Sequence, residues 1–355
     1  MSSVGRYTRQ TSLLSFGVDG QAKLADSQVL IIGLGGLGLP VAQYLNAMGV
    51  GTLGLVDNDT IELHNLQRQI LYAEADIGKS KLTVTKVKLK AQNSETKIKC
   101  FDTFLTPENA LTIIKDFDLI IDATDNFATR YLINDACVLL NKPFVYGALH
   151  GFEGQVSVFN YQNGPTYRCL FPDIPKKNEI PNCNENGVLG ILPGIIGTLQ
   201  ALEAVKVLTG VGEVLSGKLL LFDGLTQTSQ KINFRAKEAN KDVTSLQKSY
   251  GFQNCAINSV TVEVFSGFKN EGETQLIDVR NIDEFENSNL PGAKNIPLKE
   301  LEFSLTQINF EKPVYLICQS GQRSILALEI LLALEPNAKI YHIIGGMNKM
   351  TSVCH

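Results

Sequence analysis

Cys318 ends the apolar run Val314-Tyr315-Leu316-Ile317 and opens the stretch Cys318-Gln319-Ser320-Gly321-Gln322-Arg323-Ser324. A short arc that leaves a strand and closes at the start of a helix turns successive backbone N–H groups toward an anion. The helix N-terminus and the Arg323 guanidinium should both favour a thiolate at the centre of that arc, which makes Cys318 a candidate nucleophile with Arg323 as its partner. The competing reading is a core cysteine on a strand, because free cysteine is among the most buried residue types. Gly321 and Arg323, placed directly after the thiol, tip the balance toward reactivity.

A second constellation lies near the other end of the chain. Gly33, Gly35 and Gly38, with Gly36 between them, form the run GLGGLG behind the apolar segment Gln28–Ile32. In such a run one glycine makes the tight turn, one lets the backbone approach a phosphate and one lets the following helix pack closely. That helix offers free N–H groups and a favourable dipole to an anion. Asp57 stands 19 residues past Gly38, where a carboxylate can bind a ribose hydroxyl. Taken alone, this fingerprint separates neither NAD from ATP nor a bound nucleotide from an empty glycine turn.

The segments beyond it decide more. Asp57-Asn58-Asp59-Thr60 precedes Asn65-Leu66-Gln67-Arg68-Gln69 and then Gly78-Lys79-Ser80-Lys81. Singly, each charge reads as a solvated loop residue. In this order Asp59, Asn65, Arg68 and Lys81 gather polar and cationic groups beside a phosphate turn. Hydride transfer has little need of them, whereas phosphoryl or adenylyl transfer uses them to neutralise charge on oxygen. Asp125, just past the apolar run Phe117–Asp122, would complete the set by holding Mg²⁺ together with the nucleotide's phosphates.

These residues require particular elements to place them. Strand, glycine turn and helix Leu39–Met48 are followed by strands Gly51–Val56 and Phe117–Asp122. Alternation of strands and helices predicts an α/β fold with a doubly wound, Rossmann-like, mostly parallel sheet, and ligands at the carboxyl ends of its strands. After Phe234 the sequence turns polar (RAKEANKDVTSLQKSYGFQN), so the expected division is a nucleotide-binding domain over 1–234, a linker over 235–257 and a small α/β domain over 258–355. The last should contain strands Leu276–Val279, Val314–Cys318 and Ile340–Ile344 and a helix Arg323–Leu334.

Composition excludes several classes. A chain of 355 residues exceeds one hydrophobic core. Its 44% hydrophobic and 19% charged residues suit a soluble globular protein. A net charge of -4 without a basic block gives no footprint for nucleic acid. MSSVGRYTRQ lacks the layout of a secretory signal. The most apolar run, the 15 residues Val188–Leu202, is interrupted by Gly190, Pro193, Gly194 and Gly197, so no membrane span is expected. Seven cysteines without framework spacing suit a reducing, cytoplasmic setting.

Arg6-Tyr7-Thr8-Arg9-Gln10, GLGGLG, LVDND, NLQRQ, GKSK, DATDN and Gly197-Thr198-Leu199-Gln200-Ala201-Leu202-Glu203 resemble, over about residues 5–235, the MoeB/ThiF/HesA adenylyltransferases, relatives of the ubiquitin-activating enzymes. The resemblance implies that ATP activates the C-terminal glycine of a ubiquitin-like sulfur carrier protein, ending in Gly-Gly, as an acyl-adenylate. It implies Asp57 at the ribose, Arg68 and Lys81 at the phosphates and Asp125 at the magnesium, with Arg9 reaching the nucleotide from the second subunit of a homodimer. Members of the family often carry zinc on two CxxC pairs, but here Thr166-Tyr167-Arg168-Cys169 holds one thiol and no cysteine lies between Phe222 and Asn254. One thiolate cannot build a closed four-ligand site, so no zinc is expected and Cys169 reads as structural. Cys183, in the polar stretch Pro181-Asn182-Cys183-Asn184, reads as an exposed loop thiol and a second candidate nucleophile. The resemblance puts there a cysteine that bonds to the carrier or resolves a disulfide.

CQSGQRS, Leu276-Ile277-Asp278-Val279-Arg280, Gly292-Ala293-Lys294-Asn295-Ile296-Pro297 and Ile344-Gly345-Gly346-Met347 resemble rhodanese domains over about residues 258–350. This implies that Cys318 carries sulfur as a persulfide, with a cysteine desulfurase as the sulfur source. A related phosphatase fold separates its Cys and Arg by five residues to admit phosphate; the four between Cys318 and Arg323 favour sulfur. Joined, the two resemblances imply adenylation, attack by the persulfide, and cleavage of the sulfur–sulfur bond by Cys183 to release a thiocarboxylate for molybdopterin or thiamine synthesis. Initial thioester formation on Cys183 is the other order. The competing readings are an NAD-dependent oxidoreductase with a regulatory thiol domain and a carrier-binding module with a vestigial nucleotide site.

Overall fold

Gln28–Ile32 is a short apolar run that can be buried on both faces, and in the computed structural model it forms strand β1 inside an eight-stranded sheet. The structure describes residues 5–173, 187–248, 250, 259–262, 264–265, 274–335 and 338–353. The remaining strands of this sheet are β2 (Thr52–Val56), β3 (Lys97–Phe101), β4 (Leu119–Asp122), β5 (Phe144–His150), β6 (Glu153–Phe159), β7 (Lys218–Asp223) and β8 (Thr228–Asn233), in the spatial order β3-β2-β1-β4-β5-β6-β7-β8. The first five neighbours are parallel and the last three pairings antiparallel. Register sets Ile32 beside both Val56 and Asp122, so β1, β2 and β4 end together and their following loops share one edge. Apolar residues fill both faces: Val29, Ile31, Leu45 and Ile196 on one, Leu30, Phe117, Ile120 and Tyr131 on the other.

Val188–Leu202 differs from its reading as an interrupted run. Ile191–Thr209 is a continuous 19-residue helix, long and apolar enough by length and composition to cross a membrane. Pro193 lies in its first turn, where no backbone N–H is needed. A Cβ on Gly197 would sit 2.5 Å from the Leu37 oxygen, so that glycine admits the neighbouring chain. Ile196, Ala201, Ala204 and Val205 enter the core, and the buried Gln200 and Glu203 bond to the Asp122 carbonyl and the Leu215 N–H, which marks a core helix.

The chain divides into compact units Met1–Tyr250 and Gly251–His355, which moves the expected boundary at 234 C-terminally. Residues 237–240 pack on the first unit instead of bridging away from it: Lys237 N donates to Cys169 Sγ (3.3 Å) and Asn240 Nδ2 to the Arg168 carbonyl (2.7 Å). Tyr250 is buried in the same unit. The rest of the expected linker, 251–257, lies outside the described residues.

The second unit is a five-stranded parallel sheet of β9 (Ser259–Val260), β10 (Gln275–Asp278), β11 (Ala293–Asn295), β12 (Val314–Ile317) and β13 (Ile340–Ile343), ordered β11-β10-β12-β13-β9. Helix Gln322–Leu334 follows β12 and buries Ala327, Leu328 and Leu331 against it. His342 on β13 is buried, and its Nδ1 has no hydrogen-bond partner. Burial lowers its pKa from 6.5 to about 4, so the folded unit keeps it neutral where the unfolded chain binds a proton. Its contribution is complete above pH 6.5 and should be lost as pH falls toward about 4. Thermal unfolding midpoints measured across that window should fall with pH, and His342→Leu should flatten the decline.

Candidate active sites

The glycine turn closes on the end of β4. Gly33 has φ +96°, and a Cβ there would sit 2.7 Å from the Ala123 oxygen; one on Gly38 would lie 1.8 Å from the Gly33 oxygen. Both positions therefore require glycine. Gly36 lies against Pro193 and the Arg68 stem, whose Cγ would be 3.5 Å from an added Cβ. Around Gly35 an added Cβ would meet only Gln69 Nε2, at 3.8 Å. The open backbone there, ahead of helix Gly38–Ala47, can accept a phosphate.

From this turn a chain of polar contacts runs outward. Leu34 N–H donates to Asp57 Oδ2 (2.6 Å) and Asp59 N–H to Asp57 Oδ1 (2.8 Å). Lys81 Nζ donates to Asp59 Oδ2 (2.9 Å). Lys81 opens helix Lys81–Gln92, where a buried ammonium opposes the helix dipole and Asp59 offsets it. Burial raises the Asp57 carboxyl above the usual range while Lys81 pulls it back. Tyr72 Oη lies 3.2 Å from the Leu34 carbonyl and 3.4 Å from that of Lys81, and burial pushes its phenol strongly upward.

Arg68 donates from Nη1 to the His64 carbonyl (3.0 Å). Asn65, expected at the nucleotide, is buried and its Oδ1 accepts from Glu62 N–H (3.1 Å); this side chain builds the short turn that carries Arg68. Arg9 is exposed on helix Thr8–Thr11, outside this linked set.

Asp125 is exposed two residues past Ala123, at the shared edge. Beneath it Thr124 donates from Oγ1 to Asp122 Oδ1 (2.6 Å), Arg130 Nη2 donates to the Thr124 carbonyl (2.9 Å), and Arg130 Nε lies 3.9 Å from Asp122 Oδ2. Burial pushes the Asp122 carboxyl up, with Arg130 opposing it. Sequence reading missed Tyr72, Asp122 and Arg130; a buried arginine needs a carboxylate, but nothing local announces which. Among the described residues no group of three or more His, Cys, Asp or Glu is placed to hold a metal. The buried Cys169 accepts from Thr166 N (3.4 Å) as well as Lys237 N. Cys183 lies outside the described residues.

In the second unit Cys318 is fully buried. Gly321 N–H donates to its Sγ (3.1 Å), as does Ser324 N–H (3.4 Å), so the arc does aim backbone donors at the sulfur. Ser324 Oγ donates to the Gly321 carbonyl (2.9 Å) and lies 3.7 Å from Sγ. Gly321, at φ +96°, supplies the left-handed residue that this curl needs. Arg323, expected as the partner of the thiol, forms a bidentate pair with Glu284, Nη1 to Oε2 at 2.6 Å and Nη2 to Oε1 at 2.7 Å. A second guanidinium, Arg280, quoted with the rhodanese-like stretches but given no role of its own, bonds Asp278 and donates to Gln319 Oε1 (3.1 Å) beside the cysteine.

Known proteins share both halves. The ThiF family matches residues 7–244 and the rhodanese-like domain residues 261–352. The chain is 40% identical to the adenylyltransferase and sulfurtransferase MOCS3 of Drosophila sechellia, over 98% of this chain and 83% of that protein. It is 38% identical to the protein of the same name from Aedes aegypti, over 99% and 87%. Among solved structures, E. coli MccB with AMPCPP and MccA superposes with a TM-score of 0.60 at 25% identity, over 67% of this chain and 73% of that one. MccB with ATP gives 0.57 at 25% identity, over 65% and 71%.

Proposed function

Because the chain belongs to the ThiF family and carries a rhodanese-like domain after it, we propose that it works in the order of its units, adenylating a carrier and then sulfurating it. It is an adenylyltransferase and sulfurtransferase acting on a ubiquitin-like sulfur carrier protein. The carrying observation is the linked set from Leu34 through Asp57 and Asp59 to Lys81, in one chain with a sulfur at the focus of two backbone donors.

In this reading ATP lies over the glycine turn, with phosphate at Gly35 and a ribose hydroxyl donating to Asp57. Arg68 and the Lys81 ammonium, which has two donors beyond the one on Asp59, face the phosphates. A carboxylate oxygen of the carrier's terminal glycine attacks the α-phosphorus, the bond to pyrophosphate breaks, and acyl-AMP forms. Asp125 is exposed where a cation shared with the phosphates would bind, and Mg²⁺ held there would stabilise charge on the leaving pyrophosphate. Leu13, Leu14 and Val18, close to Arg9 in the chain, are exposed apolar side chains of the kind a second copy would cover, which supports a homodimer with Arg9 shared between sites.

The terminal sulfur of a Cys318 persulfide then attacks the acyl carbon and AMP leaves, giving an acyl-persulfide. A second thiolate, for which Cys183 is the candidate, attacks Cys318 Sγ, forms a disulfide with it and releases the carrier thiocarboxylate. Because Cys318 is buried, the added sulfur rather than the thiol itself presents to the adenylate. We place the reaction in the cytoplasm, with a cysteine desulfurase as donor and molybdenum-cofactor synthesis ahead of thiamine synthesis as the pathway. The test is incubation of the full chain with Mg-ATP, a persulfide donor and each carrier ending in Gly-Gly. Pyrophosphate release and an oxygen-to-sulfur mass gain on a carrier are expected; no pyrophosphate with any such carrier would refute the reading.

A further inference from the structure

Two arginines, Arg323 in the sulfur loop and Arg280 bonded to its Gln319, are each matched by a carboxylate. Arg280, almost fully buried, sets Nε 3.0 Å and Nη2 2.7 Å from Asp278 Oδ2. Arg323 is bidentate with Glu284. Glu284 is itself fixed: it is the third residue of helix Ile282–Asn287, and its Oε2 accepts from Asn281 N–H (3.1 Å) in a capping box. Arg323 draws its carboxyl below the usual range, so the pair stays charged at neutral pH.

The Gly321 and Ser324 N–H groups that donate to Cys318 Sγ are dipoles without net charge. That suffices for a sulfur atom carrying at most one charge. A dianionic donor such as thiosulfate brings a sulfonate that must leave water and must depart as sulfite, and it gains much more from an uncompensated guanidinium.

We propose that Glu284 is a specificity-determining residue of sulfur loading: by pairing with Arg323 it neutralises the loop's own guanidinium toward the incoming donor and selects a persulfide over the dianionic thiosulfate. The proposal rests on the reading of Cys318 as the sulfur acceptor. In the favoured step the Cys318 thiolate attacks the terminal sulfur of R–S–SH, the Sγ–S bond forms, the R–S bond to that sulfur breaks, and R–S⁻ leaves while Cys318 keeps the S–SH. With thiosulfate the same attack expels sulfite, and Cys318 is left as S–S⁻.

Glu284→Gln tests this, because glutamine can fill the same capping position without the charge. Full-length protein is treated with cysteine persulfide or thiosulfate, and persulfide at Cys318 is followed by mass spectrometry. The ratio of the two loading rates should move about five- to tenfold toward thiosulfate, the scale of a half-exposed ion pair. Adding Arg323→Gln should return the ratio toward wild type. An unchanged ratio in Glu284→Gln, or a gain that survives in the double variant, overturns the proposal. Sulfur found on a residue other than Cys318 overturns the underlying reading instead.

Discussion

Replacing Cys318 with alanine is expected to leave carrier-dependent ATP–pyrophosphate exchange near its wild-type rate while thiocarboxylate formation falls more than about 10³-fold. Asp57, Asp59 and Lys81, linked to the glycine turn, belong to the unit ending at Tyr250, and Cys318 belongs to the other, so the two activities should separate. The loss should be large because the Gly321 and Ser324 donors converge on this sulfur. Alanine leaves those buried N–H groups without an acceptor, which could loosen the loop for a trivial reason. Cys318→Ser removes that objection, since its Oγ can accept the same bonds yet cannot carry sulfane sulfur for transfer. Both variants should behave alike, and loss of exchange in either would contradict the division of labour.

How legible each feature was follows from how local its cause is. β1 and the glycine turn are set by contiguous residues: a run buried on both faces, then glycines whose missing Cβ atoms admit Ala123 and Gly33. β8 is exposed along its length and has no apolar alternation to reveal it. Residues 235–250 read as linker because they are polar, yet polarity is what ties them down, through Lys237 and Asn240 on the Cys169 turn. Asp57, Asp59 and Lys81 were visible from their order near the phosphate turn. Tyr72 and Arg130 were not, because each is defined by a partner that only folding supplies. Arg323 shows the limit most directly: its adjacency to Cys318 is legible in sequence, but its pairing with Glu284, 39 residues away, is supplied by folding.

Lys81→Met should lower ATP–pyrophosphate exchange by about 10²- to 10³-fold, the range for losing one preorganised group that stabilises developing charge. Methionine keeps much of the buried stem packed, so the thermal midpoint should move little compared with the rate. Lys81→Arg should not rescue activity, because the longer planar guanidinium does not fit a side chain only 8% exposed and held 2.9 Å from Asp59. An indirect explanation competes with the direct one. Without Lys81, Asp59 lies unpaired beside Asp57, and their repulsion could disturb the turn that Asp57 holds through Leu34. Asp59→Asn combined with Lys81→Met separates the two. If Lys81 serves mainly to neutralise Asp59, the double variant regains exchange. If the ammonium acts on the phosphates, the double variant stays as slow as Lys81→Met, and that is the expected result, because Lys81 is linked through Asp59 and Asp57 to the Leu34 N–H of the glycine turn, where the proposed phosphate lies.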